Sequence, residues 1–300
     1  MSSIRYIKNS TVRGYVDLAR PENASSLLIT YSIGYVISLK DFSLNYIIGL
    51  IIIICLHSYA TVQNDIEDIS IDAANLRTGI IQDNKLSIQN ARKYSYLYIF
   101  IATGSALLSA NKLFNLGVII AGLILAHQYN SGNHRASKRP IASITILAFC
   151  FGPFALLYGY YQVASSLSYV VLILCILLFC GRFSTAILKD YKDAKGDKKF
   201  HKDTFYIHYG QKITGWVSLC FALICYVGLL TFLLYHKDIS SFIYWLAALV
   251  MTLLIIRNIY MRFGFIRLTN EKKLSKLFVT TLKNHNLIEG LFFICIFLVF

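Results

Sequence analysis

The chain has 300 residues, 56% of them hydrophobic and only 15% charged, with a mean hydropathy of +0.58 and a formal net charge of +14. That hydrophobicity excludes a disordered chain, and seven scattered cysteines in so long a chain exclude a disulfide-stapled secreted domain. Continuous apolar runs, in place of residue-by-residue alternation, exclude an outer-membrane barrel and leave an all-α polytopic membrane bundle.

In chain order, the N-terminal segment is polar through Asn23 and has no short apolar core followed by a small-residue cleavage site. The first span is therefore expected to anchor the chain. Apolar runs mark nine candidate spans, at about 24–39, 44–62, 95–110, 115–129, 141–160, 167–187, 213–235, 241–257 and 286–300, approaching the roughly 20 residues a bilayer requires. Of the prolines Pro21, Pro140 and Pro153, two fall where helices should start after polar loops. No Pro-rich or Gly/Ser-rich linker intervenes, so residues 1–300 are expected to form one membrane domain.

Lysine and arginine partition unevenly between the two sides. Assigned by segment, 26 of the 29 fall on one side, and Lys40, Lys112 and Lys237 fall on the other. The positive-inside rule then places the N-terminus in the cytoplasm and the C-terminus outside. The basic excess needs no nucleic acid to explain it. All seven cysteines lie in apolar stretches and are expected to be small buried hydrophobes.

Carboxylates are scarce, 15 in all, and concentrate in Asn64-Asp65-Ile66-Glu67-Asp68-Ile69-Ser70-Ile71-Asp72 and in Asp190-Tyr191-Lys192-Asp193-Ala194-Lys195-Gly196-Asp197. Both segments sit at the inner ends of spans. Asp65, Asp68 and Asp72 share a D-x-x-D-x-x-x-D spacing with Asp190, Asp193 and Asp197, which would put each trio on one helix face. Like charges so close repel, so cations should compensate. Lys192, Lys195, Lys198 and Lys199 are near the second trio, and only Arg77 is near the first. Hard oxygen ligands without Cys or His suit Mg²⁺, which binds one or two carboxylates plus phosphate oxygens. The alternative is a pair of solvated helix ends, which does not account for equal spacing in two loops on one side.

On these residues the chain resembles the UbiA-type intramembrane prenyltransferase superfamily, which carries N-D-x-x-D-x-x-x-D after its second helix and D-Y-x-D-x-x-G-D after its sixth. Here they read NDIEDISID (64–72) and DYKDAKGD (190–197). Arg20-Pro21-Glu22-Asn23, Lys202-Asp203-Thr204 and Gly210 are further matches. Arg77-Thr78-Gly79-Ile80 lacks the proline many members have. In place of the usual Y-x-x-x-K, Tyr129-Asn130-Ser131 is followed by Arg135, Lys138 and Arg139.

The resemblance implies a nine-helix bundle around a central cavity and Mg²⁺-dependent transfer of a prenyl group from an allylic diphosphate to a small acceptor. Asn64, Asp68 and Asp72 would hold one metal, with Asp65 a ligand or a helix-end group, and Asp190, Asp193 and Asp197 the other. Asp68, Asp72, Asp193 and Asp197 are the expected catalytic set. Arg77, Arg139 and Lys192 are candidate diphosphate contacts, and Arg20 and Asn23 lie on the acceptor side. Tyr158, Tyr160, Tyr161 and Phe183 are candidates for cation–π stabilisation of the allylic cation. The acceptor is expected to be an aromatic quinone precursor, the alternatives being a lipid alcohol, haem or cyclisation. A Mg²⁺ carrier is the competing class, and the expectation that no carboxylate lies mid-span counts against it.

Overall fold

The computed structural model describes residues 18–38, 42–76, 79–83, 85–132, 135–235 and 241–300. They form α1 (Pro21–Ser38), α2 (Leu44–Glu67), α3 (Ile69–Ala74), α4 (Ile88–Leu108), α5 (Lys112–Asn130), α6 (Pro140–Tyr160), α7 (Tyr169–Lys189), α8 (Ala194–Lys199), α9 (Phe205–Tyr235), α10 (Phe242–Arg267) and α11 (Glu271–Val299), with no strand among them. Each apolar run expected to span is helical. Seven helices, α2, α5, α6, α7, α9, α10 and α11, are long and apolar enough to cross a membrane. The short apolar part of α1 and the polar start of α4 keep those two out of the set, so among the described residues seven of the nine expected spans meet the length and composition of a membrane crossing.

Local chemistry accounts for the helix starts. Ser87, Ser168, Ser241 and Asn270 each accept a backbone N–H from the first turn of α4, α7, α10 and α11. Pro140 opens α6, where its missing N–H costs nothing. Pro153 lies inside α6, and the helix widens into a π turn over Cys150–Phe154 to accommodate it.

The helices close into a ring. α2 packs on α4 and α5, α6 on α7, α7 on α9, α9 on α10, α10 on α11, and α11 returns to α1, which also lies along the end of α6. At that last crossing a Cβ on Gly34 would collide with the Leu156 carbonyl, and one on Gly159 with the Tyr31 carbonyl, so two glycines let the backbones touch. Large apolar side chains such as Phe100, Leu113, Ile224, Leu253 and Ile256 point outward, as lipid contact requires. Two apolar cores fill the ring, one from α1, α2, α4, α5 and α6 and one mainly from α7, α9, α10 and α11. Five cysteines are buried in them, while Cys150 is half-buried and Cys220 exposed.

Tyr158, Tyr160 and Tyr161 end α6, about 27 Å along the axis from Pro140 at 1.5 Å per residue. They therefore sit at the opposite end from the carboxylate segments, and the Tyr158 hydroxyl bonds Asn115 Oδ1 at 3.0 Å. There the Tyr158 ring packs against Tyr31 and the Tyr160 hydroxyl donates to the Ser166 carbonyl at 3.0 Å. Phe183, stacked on Phe221 at 4.3 Å, lies two turns from Asp190 and keeps its position near the site.

Candidate active site at the carboxylate end

Neither aspartate trio lies on one continuous helix, which corrects the expectation from spacing. α2 stops at Glu67, Asp68 turns the chain with φ −101° and ψ 12°, and α3 follows. α7 stops at Lys189, the chain turns through Asp190 to Asp193, and α8 follows. Breaking the helix separates like charges that a regular helix would stack. α3 and α8 then pack together, and the Gly196 N–H donates to Asn75 Oδ1 at 2.6 Å. A Cβ on Gly196 would lie 2.5 Å from the Asn75 amide, which is why the second segment carries glycine there.

The compensating cations come from far along the chain. Arg135 Nη2 lies 2.6 Å from Asp68 Oδ1, and Lys202 Nζ lies 3.1 Å from Asp68 Oδ2 and 3.6 Å from Asp197 Oδ1. Lys202 therefore joins the two segments. Arg20 pairs with Asp65, and Gln82 donates to Asp72 Oδ2 at 2.8 Å. Asn64 donates to Asn130 Oδ1 at 3.1 Å and reaches Asp68 Oδ2 at 3.4 Å. Lys189 donates to the Tyr129 hydroxyl at 2.9 Å.

Burial dominates the electrostatics. It pushes the Asp190 carboxyl above its ordinary pKa, against the pull of Lys189 and Lys202. It likewise raises Asp197 to about 7, with Lys202 opposing and Asp193, Asp190 and Asp68 adding repulsion. Burial works against the Lys202 ammonium too, but the Asp68 and Asp197 carboxylates outweigh it and hold its pKa above the usual lysine value. That Asp197 responds to Asp68 places both segments in one electrostatic site.

Of the expected basic contacts, Arg139 is exposed and borders a cleft of about 470 Å³ with Gln128, Ser131, Arg135 and Ile146. Lys192 is exposed, its ammonium 4.8 Å from the centre of the Phe278 ring. Lys198 and Lys199 are exposed as well. Arg77, Lys40, Lys237 and the Asn23 and Lys195 side chains lie outside the described residues. Arg20, expected on the acceptor side, pairs with Asp65 instead of standing alone. Arg135 is buried and Lys189 and Lys202 are half-buried here, and the match at Lys202-Asp203-Thr204 was the sequence signal for the last. The expectation of no mid-span carboxylate also fails, because Glu289 is buried inside α11 against Arg182.

Among the described residues, no group of three or more His, Cys, Asp or Glu side chains is assembled to hold an ion unaided. Asp65 and Asp72 have turned to Arg20 and Gln82. What remains are buried carboxylate oxygens without a hydrogen-bond donor among the described residues, Asp190 Oδ2 and both oxygens of Asp197. Such a set, oxygen only and few in number, fits Mg²⁺, which keeps part of its water shell and takes phosphate oxygens from a substrate.

Comparison with known proteins bears on this arrangement. The chain is similar to the digeranylgeranylglyceryl phosphate synthase of Methanococcus maripaludis strain C5, 29% identical over 193 residues that are 62% of this chain and 65% of that protein. It spans about two-thirds of that relative's length. The counterpart in strain C6 is 25% identical over 83% of this chain and 86% of its own. In fold, the chain resembles a structure from work on digeranylgeranylglyceryl phosphate synthase in membranes, with TM-score 0.64, 20% identity, and 96% of this chain and 99% of that one covered. It equally resembles a UbiA homologue from Archaeoglobus fulgidus bound to GPP and Mg²⁺, with TM-score 0.64, 15% identity, and coverage of 93% and 99%. With its two aspartate segments meeting at one end of a helical ring and a family match running over residues 27–287, the chain belongs to the UbiA prenyltransferase family.

Proposed function

We propose that this protein is a Mg²⁺-dependent prenyltransferase that moves a prenyl group from an allylic diphosphate to the hydroxyl of a glycerophosphate lipid. The observation that carries the reading is the junction of the two aspartate segments, where Lys202 bridges Asp68 and Asp197 beside buried carboxylate oxygens. The aromatic quinone precursor expected from the sequence is set aside. The relatives are named for digeranylgeranylglyceryl phosphate synthesis, so a geranylgeranylglyceryl phosphate acceptor fits better.

Bound Mg²⁺ would neutralise the diphosphate and so assist its departure. Asp68, Asp190, Asp193 and Asp197 would hold it, with Asn64 and Asp72 keeping the first segment in shape. Arg135, Lys189 and Lys202, with Arg139 at the cleft, supply positive charge for the leaving diphosphate in a site shielded from water, where such charges act most strongly. Phe183, Phe205 and Ile187 form part of an apolar cluster under this end of the ring that keeps water from the allylic carbon. A single membrane domain with this end facing the cytoplasm agrees with the lysine and arginine bias.

Purified protein given geranylgeranyl diphosphate with either geranylgeranylglyceryl phosphate or 4-hydroxybenzoate tests the reading by diphosphate release and product extraction. Release that needs Mg²⁺ and the glycerophosphate acceptor is expected. Turnover with the aromatic acid alone would restore the quinone reading, and no release with any acceptor would end the transferase one.

A further inference from the structure

We propose that Lys202 is a resident counter-cation that must leave Asp68 and Asp197 before a divalent ion can enter, and that its freed ammonium then pairs with the diphosphate. The proposal rests on the metal and diphosphate reading above and makes Lys202 a substrate-contacting residue in the bound state.

Three observations carry it. First, among the described ion pairs Lys202 is the cation that touches both segments, at 3.1 Å and 3.6 Å, and its side chain is only 14% exposed. Among the described carboxylates Arg135 meets Asp68, and Lys189 is engaged by Tyr129. Second, the carboxylates outnumber what these cations satisfy, since Asp190 Oδ2 and Asp197 Oδ2 meet no donor among the described residues. Replacing one positive charge by two therefore improves the balance. A divalent ion on the oxygens that Lys202 holds would face the ammonium at close range, so like charges would drive the lysine off. Third, the backbone allows this without unfolding. The Lys202 N–H is bonded to the Asp197 carbonyl at 2.9 Å after a left-handed turn at His201 (φ 53°), so the ammonium can re-aim by rotation about the four-carbon stem with the backbone in place. The released charge remains beside the metal, where a diphosphate would bind.

A structural clamp and a placeholder predict opposite signs. If Lys202 only clamps the loops, Lys202→Met should loosen both segments and weaken metal binding. As a placeholder, its removal should tighten Mg²⁺ binding about tenfold and weaken a prenyl thiodiphosphate analogue, at saturating Mg²⁺, by a similar factor. Lys202→Arg, which keeps the charge, should track the wild type more closely. Calorimetric titration of the full-length detergent-solubilised protein with Mg²⁺ alone, then with the analogue, reads both. Unchanged or weaker Mg²⁺ binding in Lys202→Met, with wild type binding normally, overturns the proposal. Failure of wild type to bind Mg²⁺ even with the analogue overturns the underlying metal reading instead. Should Lys202→Met not fold, mass-spectrometric acetylation of wild-type Lys202 decides the matter. Labelling should rise with Mg²⁺ alone and fall again with the analogue, and labelling indifferent to Mg²⁺ overturns the proposal.

Discussion

In mid-bundle, Arg182 of α7 pairs with Glu289 of α11, His285 lies 3.1 Å from Glu289, and the Tyr226 hydroxyl shares a 2.9 Å hydrogen bond with His285. Arg182 also donates to the Ser26 carbonyl of α1, so four helices are tied together. Nearby, Arg262 is fully buried and donates to Asn258 Oδ1 at 2.9 Å, to the Ser184 carbonyl at 2.8 Å and to the Ser218 hydroxyl. At the carboxylate end the ions are buried as well, yet Asp190 Oδ2 and Asp197 Oδ2 have neither a hydrogen-bond donor nor an ion-pair partner among the described residues, whereas Glu289 Oε1 in mid-bundle has His285 at 3.1 Å. The difference teaches that burial of charge does not mark a site. A surplus of carboxylate does, because only negative charge without a neighbouring cation gives a divalent ion something to neutralise.

The largest expected effect tests the surplus. Asp193→Asn and Asp197→Asn should lower diphosphate release by about a hundredfold or more, the scale on which removing electrostatic stabilisation acts. Melting in detergent should not fall, since neither change strands a buried cation. Wild-type turnover in either variant would break the assignment. The mid-bundle network should respond in the opposite way. Glu289→Gln leaves Arg182 buried without its partner and should cost about 3–5 kcal/mol of stability. The double replacement Arg182→Met with Glu289→Met should recover much of that, as unfolding in mixed micelles would register, with turnover per folded molecule preserved. Loss of activity at full stability would move that network into the catalytic machinery.

Two glycines sharpen the contrast at smaller scale. Gly34→Ala forces α1 off α6 and should cost about 1–3 kcal/mol, the range for overpacking. Gly196→Ala pushes α8 from Asn75 and should slow turnover by roughly tenfold or more through misplacement alone, with little change in melting. Reversed outcomes would place the sensitive contact at the wrong end.

The smallest effect is one of pH. A carboxyl raised to about 7 in the folded protein binds protons more readily there than in the unfolded chain. Its burden on stability is therefore fully present above pH 7 and is relieved as pH falls from 7 toward the ordinary carboxylate range. Without Mg²⁺, melting temperature should rise on acidification through that window, and Asp197→Asn should flatten the slope. Mg²⁺ should flatten it too by holding the carboxylate charged. A slope unaffected by either would remove Asp197 as its source.

Much of this was readable along the chain. Apolar runs marked the helices, Pro140 marked the start of α6, and the two aspartate segments pointed to the site. The boundaries of α10 and α11 were less legible. Arg257, Arg262 and Arg267 break the apolar run that α10 nevertheless continues through, because Arg262 finds its partners on α7 and α9. For the same reason Glu289 could not be distinguished from a solvated helix-end carboxylate.

Spacing within a segment decides periodicity, length and local charge, and these determined by themselves that the chain is a helical membrane protein with two aspartate segments at one end. Which cation meets which carboxylate was decided only in three dimensions. Asp68 is paired with residues 67 and 134 positions away, Arg135 and Lys202, while Lys192, Lys198 and Lys199, close to the second segment in sequence, are exposed. Electrostatic energy depends on distance in space and on local dielectric. The ring of helices sets both, and sequence separation sets neither.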